Sequence, residues 1–514
     1  MSSRLKKTIL ILLAAALFAG VAPIQRALNR DRKALGLTRV EPLENAPPVL
    51  AFTTVALGGF RGLIANALWI RASELQDDDK FFEMAQLADW ITKLEPHYVQ
   101  VWLVQGWNMA YNISVKFKDF GDRWRWVERG IELLRDDGLR FNPNETLIYR
   151  ELAWFFQHKM GQNLDDANNR YKAEWAREMS AVFGNKTPDL EELIHPQTDD
   201  ARSRSQLLTK KYKMDPVFMK QVNERFGPLE WRLPEAHAVY WGALGLKKAE
   251  ENPTKIKPDD LIQLRRVIYQ SMQLSFQRGK LVPNPFNLGL QYGPNLEIIP
   301  KVNRAYEQAI EEDEKMRENI KGGHRNFLRD AVYFLYQYNR LADAANWYRY
   351  LGEKYPNKTI LDGDTNSFPR NVTLDQYAMS HILEDVNETD KSKVQANIEG
   401  FTVNAYRDLA IGENERSAGF RLMARKLWQN FMTKIGDESA ARVGLRPVEE
   451  TEKEILQRLL DPADAMHMPF EMRAALRTQL RLPAEVAPAS TNAPSATTNA
   501  APPAITAPSV VPGR

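Results

Sequence analysis

Cysteine is absent from all 514 residues, which removes disulfides, thiolate zinc sites, iron–sulfur clusters and cysteine nucleophiles. Its absence also fits an oxidising compartment, where a stray thiol is a liability. An excess of one charge is missing too: 69 Lys and Arg face 66 Asp and Glu, for a net of +3. Such balance argues against nucleic-acid binding, which usually leaves a basic excess or stripe. Histidine is sparse, and the seven (His97, His158, His195, His237, His324, His381, His467) never stand one, three or four residues apart. No helix-borne metal pair or HExxH motif exists, so these histidines read as surface or capping residues. GxxxxGK[ST], GxGxxG and GxSxG are also absent, and with them the phosphate loop, the dinucleotide fingerprint and the nucleophile elbow. The expectation is no catalytic residue, no cofactor and no metal.

Long apolar runs number only two. Thr8 to Ile24 (TILILLAAALFAGVAPI) follows Arg4, Lys6 and Lys7. As a helix it reaches about 25 Å, close to the ~30 Å hydrocarbon core, and Lys7 and Arg26 can snorkel to cover the rest. Signal cleavage would have to end at Ala22 and place Pro23 next, a poor site, so residues 8–24 read as an uncleaved transmembrane anchor. A short flank ahead of a first span stays inside. The expected location is therefore a bacterial inner membrane, single-pass, with the body periplasmic. The second run, Val49 to Ile70, contains Arg61 and three glycines and reads as a buried or membrane-surface helix, not a span.

Along the chain, residues 1–33 form the anchor and basic flank, and 34–57 a proline-bearing stalk. Helical repeats are expected over 58–180 and 324–482, with an irregular helical region at 181–323 holding helices at Ala236–Glu251 and Asp259–Arg278. No sustained period-two alternation appears, so strands are not expected. The stretch LVPNPFNLGLQYGPN reads as loop. Glu415 to Lys434 sets Phe420, Met423, Ala424, Leu427, Trp428 and Phe431 at helical spacing, a core-facing stripe. The tail from Pro483 to Arg514 is nearly all Ala, Pro, Thr, Ser, Asn and Val, which cannot offset its ordering entropy and reads as disordered.

Two acidic clusters invite a chemical reading and are given a bland one. Asp362, Asp364 and Asn366 have the first spacings of a calcium loop, but Ser367 and Thr373 stand where glycine and glutamate belong, so a polar turn is expected. Asp77–Asp79 precede a helix start, where capping explains them.

Repeats supply the positive signal. In His324–Lys358, Leu328, Ala331, Val332 and Leu335 share one helix stripe, a turn falls at Asn339–Arg340, and Ala344, Tyr348 and Leu351 line a second helix closed by Pro356. Met84, Ala88, Ile91 and Pro96 repeat those offsets after Ala72 and Leu75. Trp102 and Gly106, then Tyr149, Leu152, Ala153, Phe156, Ala167 and Tyr171, start further units. These residues resemble the tetratricopeptide repeat, a helix–turn–helix unit of about 34 residues. Leu328 replaces the family's first-helix tryptophan and Val332 its glycine. The opening run LGGFRGLIANALWIRASEL is similar to membrane-anchored bacterial repeat proteins of undefined role. The resemblance implies an all-α fold, an α-solenoid of helical hairpins, and a function in holding a protein or peptide. Twelve tryptophans are present, eight of them before residue 180. Trp102, Trp107, Trp154 and Trp175 read as core fillers or groove lining. Tyr111, Trp124 and Trp126 lie off the best-defined core positions and are the candidate partner contacts. The expected function is a membrane-anchored scaffold or assembly factor. The alternative is an α/α-toroid carbohydrate-active enzyme using an acidic pair.

Overall fold

Apolar residues three and four apart give the first described pair of helices. Ala65, Ala72 and Leu75 of α1 (Arg61–Asp77) and Phe81, Met84, Ala88 and Ile91 of α2 (Phe81–Leu94) are buried where the two pack. The turn between them is closed by Asp79, in the left-handed region at φ 59°. Lys80 N–H then donates to Leu75 O at 2.8 Å, capping the end of α1. The capping role expected for the aspartates is corrected here: α2 has no side-chain cap, Asp79 serves the turn, and Asp78 pairs with Lys80 at 3.1 Å.

Far along the chain the same hairpin recurs in α13 (Arg317–Gln337) and α14 (Leu341–Lys354). Asn339 takes φ 57°, and Arg340 N–H donates to Leu335 O at 2.8 Å. The register is constant: Ala72 with Val332, Leu75 with Leu335, Met84 with Ala344, Ile91 with Leu351, and Pro96 with Pro356. Each of these except the two prolines is at least 98% buried. A third copy, in α16 (Lys391–Ala410) and α17 (Asn414–Ile435), has Gly412 at φ 82° and Glu413 N–H on Asp408 O at 2.9 Å. Ser417 occupies the small position of Ala344, and its hydroxyl donates to Ala405 O across the pair at 2.7 Å. The apolar stripe of α17 is core, except that Trp428 is half-exposed and donates its Nε1–H to Arg446 O at 3.0 Å.

The structure is a computed structural model that describes residues 61–184, 188–252, 258–283, 290–383, 391–435 and 445–485, with isolated positions between 23 and 31. The expected anchor (8–24, apart from Pro23), the stalk (34–57) and all but the first residues of the tail lie outside them. Among the described residues, no helix is long and apolar enough to cross a membrane. Contacts divide the chain into two units, Met1–Pro96 and His97–Arg514.

In the second unit, α3 (Val99–Trp107), α4 (Phe120–Glu132) and α5 (Thr146–Trp154) each run on into a π-helical stretch: Asn108–Ile113, Leu133–Gly138 and Phe155–Gly161. Two glycines let α3 and α4 approach closely. A Cβ on Gly130 would lie 3.0 Å from Gly106 O, and one on Gly106 would lie 3.0 Å from Leu134. Next come α6 (Asn168–Phe183), α7 (Leu190–Ile194), α8 (Asp199–Lys210) and α9 (Pro216–Phe226). Helix α10 (Pro234–Glu251) is apolar nearly all round and buried from Pro234 to Ala243. It packs on α5, the π stretch after it, α6, α9 and α11 (Pro258–Arg278). Then α11 packs on α12 (Ile299–Glu312), α12 on α13 and α13 on α14. Helix α13 also meets α15 (Leu374–Leu383) and α17, and α16 carries α18 (Val448–Leu460) and α19 (Phe470–Gln479).

The fold of the described residues is all-α with one exception. The stretch expected as loop holds a two-stranded antiparallel pair, β1 (Lys280–Pro283) and β2 (Leu290–Gly293), with Leu281 opposite Tyr292. Four residues a side are too few to show a period-two pattern in sequence. The acidic turn expected near Asp362 is a turn held by its own residues. Asp362 pairs with Arg329 at 3.2 Å, Asp364 accepts from Asn366 N–H at 2.8 Å, and the buried Ser367 hydroxyl donates to Asp364 O at 2.7 Å.

Candidate functional site

The π-helical turns place a polar cluster on the surface of the second unit. A π turn carries one residue more than an α turn, so it re-aims the side chains that follow, and such turns concentrate at functional positions. The π stretch after α3 presents Tyr111, and the one after α5 presents His158 and Lys159. Tyr111 hydrogen-bonds to His158 Nδ1 at 3.1 Å, with Lys159 Nζ 5.0 Å from the centre of its ring. Trp107 stacks on Tyr111 at 4.0 Å, and Trp154 stacks on His158 at 4.5 Å. Burial pushes the Tyr111 hydroxyl far above its ordinary range, and Glu151 adds to the shift. Burial also lowers His158, with Lys159 adding to it, so the imidazole is neutral.

The floor of the cluster is Asp165, whose side chain is largely buried. Burial alone would raise its carboxyl, but Lys159 Nζ at 2.5 Å and Ala167 N–H at 2.8 Å outweigh that and hold it below the usual carboxylate range. Tyr171 and Arg123 also donate to it, and Arg123 pairs with Asp166 as well. The loop that carries these aspartates is pinned from behind. Arg278 donates to Gly161 O, to Asn163 at 3.0 Å and to the buried Glu235 at 3.0 Å. Lys172 reaches Asn163 at 3.0 Å and Asn168 at 2.7 Å, and burial, with Arg278 nearby, pulls it down to about 7.

Tyr111, Val115, Arg123, His158, Lys159, Leu164, Asp165 and Asp166 thus enclose a cavity of about 490 Å³. Two apolar side chains of its wall are exposed, Leu164 at 68% and Val115, and the exposed Trp107 stacks behind Tyr111. Stray exposed apolar residues are ordinary, whereas contiguous ones beside a pocket are the pattern of contact surfaces.

Of the three residues singled out in the sequence, Tyr111 lines this cavity. Trp124 is only 5% exposed and packs edge-on to Trp175, a core position. It falls on the buried face of α4 with Val127 and Ile131, which leaves it no surface to offer. Trp126 is half-buried and stacks on Phe117 at 6.2 Å, outside the cavity wall. Trp102 and Trp175 are core, and Trp107 is exposed. Arg123, His158, Lys159 and Asp165 were not legible as a site. The one available signal was a histidine and a lysine inside the apolar run WFFQHKMG.

Two histidines correct the surface reading. His237 and His324 are fully buried, each among aromatic rings and each held by hydrogen bonds, His237 Nε2 to Trp231 O at 2.8 Å and His324 Nε2 to Asn303 at 2.7 Å. Burial takes both down to about 4 and keeps them neutral.

A carboxylate pair is also present. Burial first, then the negative charges of Glu178 and Glu132, lifts Glu128 of α4 to about 7. Tyr212 and Lys211 donate to Glu178 at 2.8 and 3.2 Å. Neither carboxylate lines the cavity above. Among the described residues, no group of three or more His, Asp or Glu could hold a metal ion.

No protein-family profile, no curated protein and no solved structure matches this chain.

Proposed function

We propose that the chain is a membrane-anchored helical-repeat scaffold of the bacterial inner membrane, its body periplasmic, which holds a protein partner and performs no catalysis. The carrying observation is the hairpin that recurs in one register with one closure, at Asp79, Asn339 and Gly412. Hairpins of this kind bury their apolar faces against neighbours in series and leave a long surface free, the logic of tetratricopeptide-like solenoids. The run of contacts from α10 through α14 supports that serial arrangement. The Tyr111 cavity is the docking point: a pinned floor, aromatic walls and exposed apolar side chains suit a side chain presented by a partner.

The enzyme alternative draws on Glu128 and Glu178. Glycosidases need their two carboxyls about 5 to 9.5 Å apart, flanking a bond. Neither Glu128 nor Glu178 lines the Tyr111 cavity, and Tyr212 and Lys211 already hold Glu178, which favours binding over hydrolysis.

A photo-crosslinking residue in place of Leu164, in the full chain in intact membranes, tests the reading. A discrete adduct that is lost with Trp107→Ser, and absent when the crosslinker replaces the distant exposed Glu450, is expected. Identical adduct patterns at both positions would remove the docking point. Protease protection of the body in spheroplasts with a sealed membrane would reverse the assigned sidedness.

A further inference from the structure

A cavity of about 610 Å³ opens in the second unit where the end of α12, the start of α13 and the segment after α14 come together. Its wall is built on a hydrogen-bonded chain that begins in the core. Neutral His324 bonds Asn303 through Nε2 at 2.7 Å and Tyr355 through Nδ1 at 2.8 Å. Asn303 in turn donates to Glu307 and Tyr350, both at 3.2 Å. Tyr350 and Lys354 donate to the same Glu307 carboxylate at 2.6 and 2.5 Å. Burial works against that carboxylate, but Lys354 and Tyr350 outweigh it and hold it ionised. Glu307 and Lys354 therefore satisfy each other, and Glu318 and Lys321 form a pair at 2.8 Å.

Two cations on the wall form no direct ion pair: Arg325, whose charge reaches Asp362 beyond the wall, and Lys358, whose charge reaches Glu318. Arg325 lines the cavity with its Nε buried and no hydrogen-bond acceptor for it among the described residues. Lys358 lines it as well and forms no ion pair among them. A buried guanidinium N–H without an acceptor is costly, so native proteins supply one. One carboxylate on the wall, Glu311, is likewise without a counter-ion.

From this arrangement we infer that the cavity is a binding site for a peptide segment of a partner protein that carries a carboxylate, received by Arg325 and Lys358. The mixed wall selects the ligand class. A phosphate-dense polymer or a lipid headgroup layer would bring many negative charges against Glu307, Glu311 and Glu318. A peptide brings one carboxylate for Arg325, which can take it through two parallel N–H bonds, and backbone N–H groups that Glu311 can accept. Ile310 and Pro356 give its aliphatic parts a dry contact. No hydrogen bond or ion pair holds the Arg325 side chain among the described residues, so it can turn its buried Nε toward an arriving carboxylate.

The inference rests on the scaffold reading but concerns a different place from the Tyr111 cavity, so the two can fail separately. The test is the detergent-solubilised full chain probed with an immobilised library of random octapeptides, in free-acid and amidated forms. Bound peptides should be enriched in Asp, Glu or free chain ends. Arg325→Ala and, separately, Lys358→Ala should weaken them by about tenfold, with Arg325→Lys in between. Unchanged thermal unfolding of these variants checks that the fold is intact. Absence of any bound peptide, a bound set without acidic bias, or affinities indifferent to both variants would overturn the site. Displacement of bound peptide by millimolar inorganic phosphate or phosphatidylglycerol vesicles as effectively as by acidic peptide would overturn it as well. Loss of the Leu164 crosslink with the peptide site intact would instead count against the Tyr111 docking point alone.

Discussion

The α1–α2 and α13–α14 hairpins share a backbone and differ in what they show to the outside. Both second helices have fourteen residues, both turns close on a left-handed residue, and both chains leave through a proline at the same position. Yet α1–α2 exposes Leu63, Ile70, Phe82 and Trp90. At the matching positions α13–α14 has Gly323, Asp330, Ala342 and Tyr350. The inner stripe is thus buried in both copies although only Leu75 and Leu335 share an identity, while the outer positions trade large apolar residues for small or polar ones. The proposed peptide site draws on that variable part: Arg325 and Lys358 lie on α13 and just beyond the end of α14.

If the two copies are one structure, equivalent core truncations should cost alike. Leu351→Ala and Ile91→Ala, both fully buried, are each expected to lose about 4 kcal/mol, read from denaturant midpoints of their own unit. A large loss in one and almost none in the other would break the equivalence. Next in size is Gly419→Ala, expected to cost about 3 kcal/mol. A Cβ there would overlap Gln337 O, where α17 crosses the α13 end, and relief would require the helices to part. A fully stable alanine variant would contradict that crossing.

Acid should separate the copies, because His324 has Ile64 as its counterpart. His324 is depressed from 6.5 to about 4 in the folded chain, so the unfolded chain takes up its proton first. Its contribution is complete above about pH 6.5 and is lost as pH falls toward 4, by about 3 kcal/mol at most. Between pH 7 and 5, urea titrations should therefore show a smaller loss in His324→Asn than in the parent chain, since His237, His381 and Asp330 titrate in both, and should leave α1–α2 unmoved. An equal loss in variant and parent would contradict the assignment. The smallest effect is at the turns. Asp79→Gly and Asn339→Gly should each stabilise by about 1 kcal/mol, since glycine takes φ near 60° without strain, as Gly412 already does. Destabilisation at either turn would mean that its backbone is not left-handed.

Much of the packing was legible in advance, because it rests on local spacing. Ala344, Leu351, Met84, Ile91, Trp102 and Tyr171 were all named from offsets, and all are buried. The third hairpin escaped because Ser417 stands in place of the expected alanine and Gln429 in place of the expected closing proline. The cavity at Tyr111 escaped for a different reason. It depends on π turns, which shift side-chain direction by one residue without any marker in the sequence, and on Lys159, Arg123 and Asp165 converging across 42 residues. Trp124 shows the converse: reckoned off the core by α spacing, it lies in it.

Serial stacking is the claim on which the rest depends, and hydrogen exchange on the full chain addresses it directly. In a row of hairpins each piece leans only on its neighbours. With Leu351→Ala, protection should fall in α12 to α15 and persist in α3 to α5. Uniform loss of protection from His97 to Glu485 would mean one cooperative globule and would contradict the account.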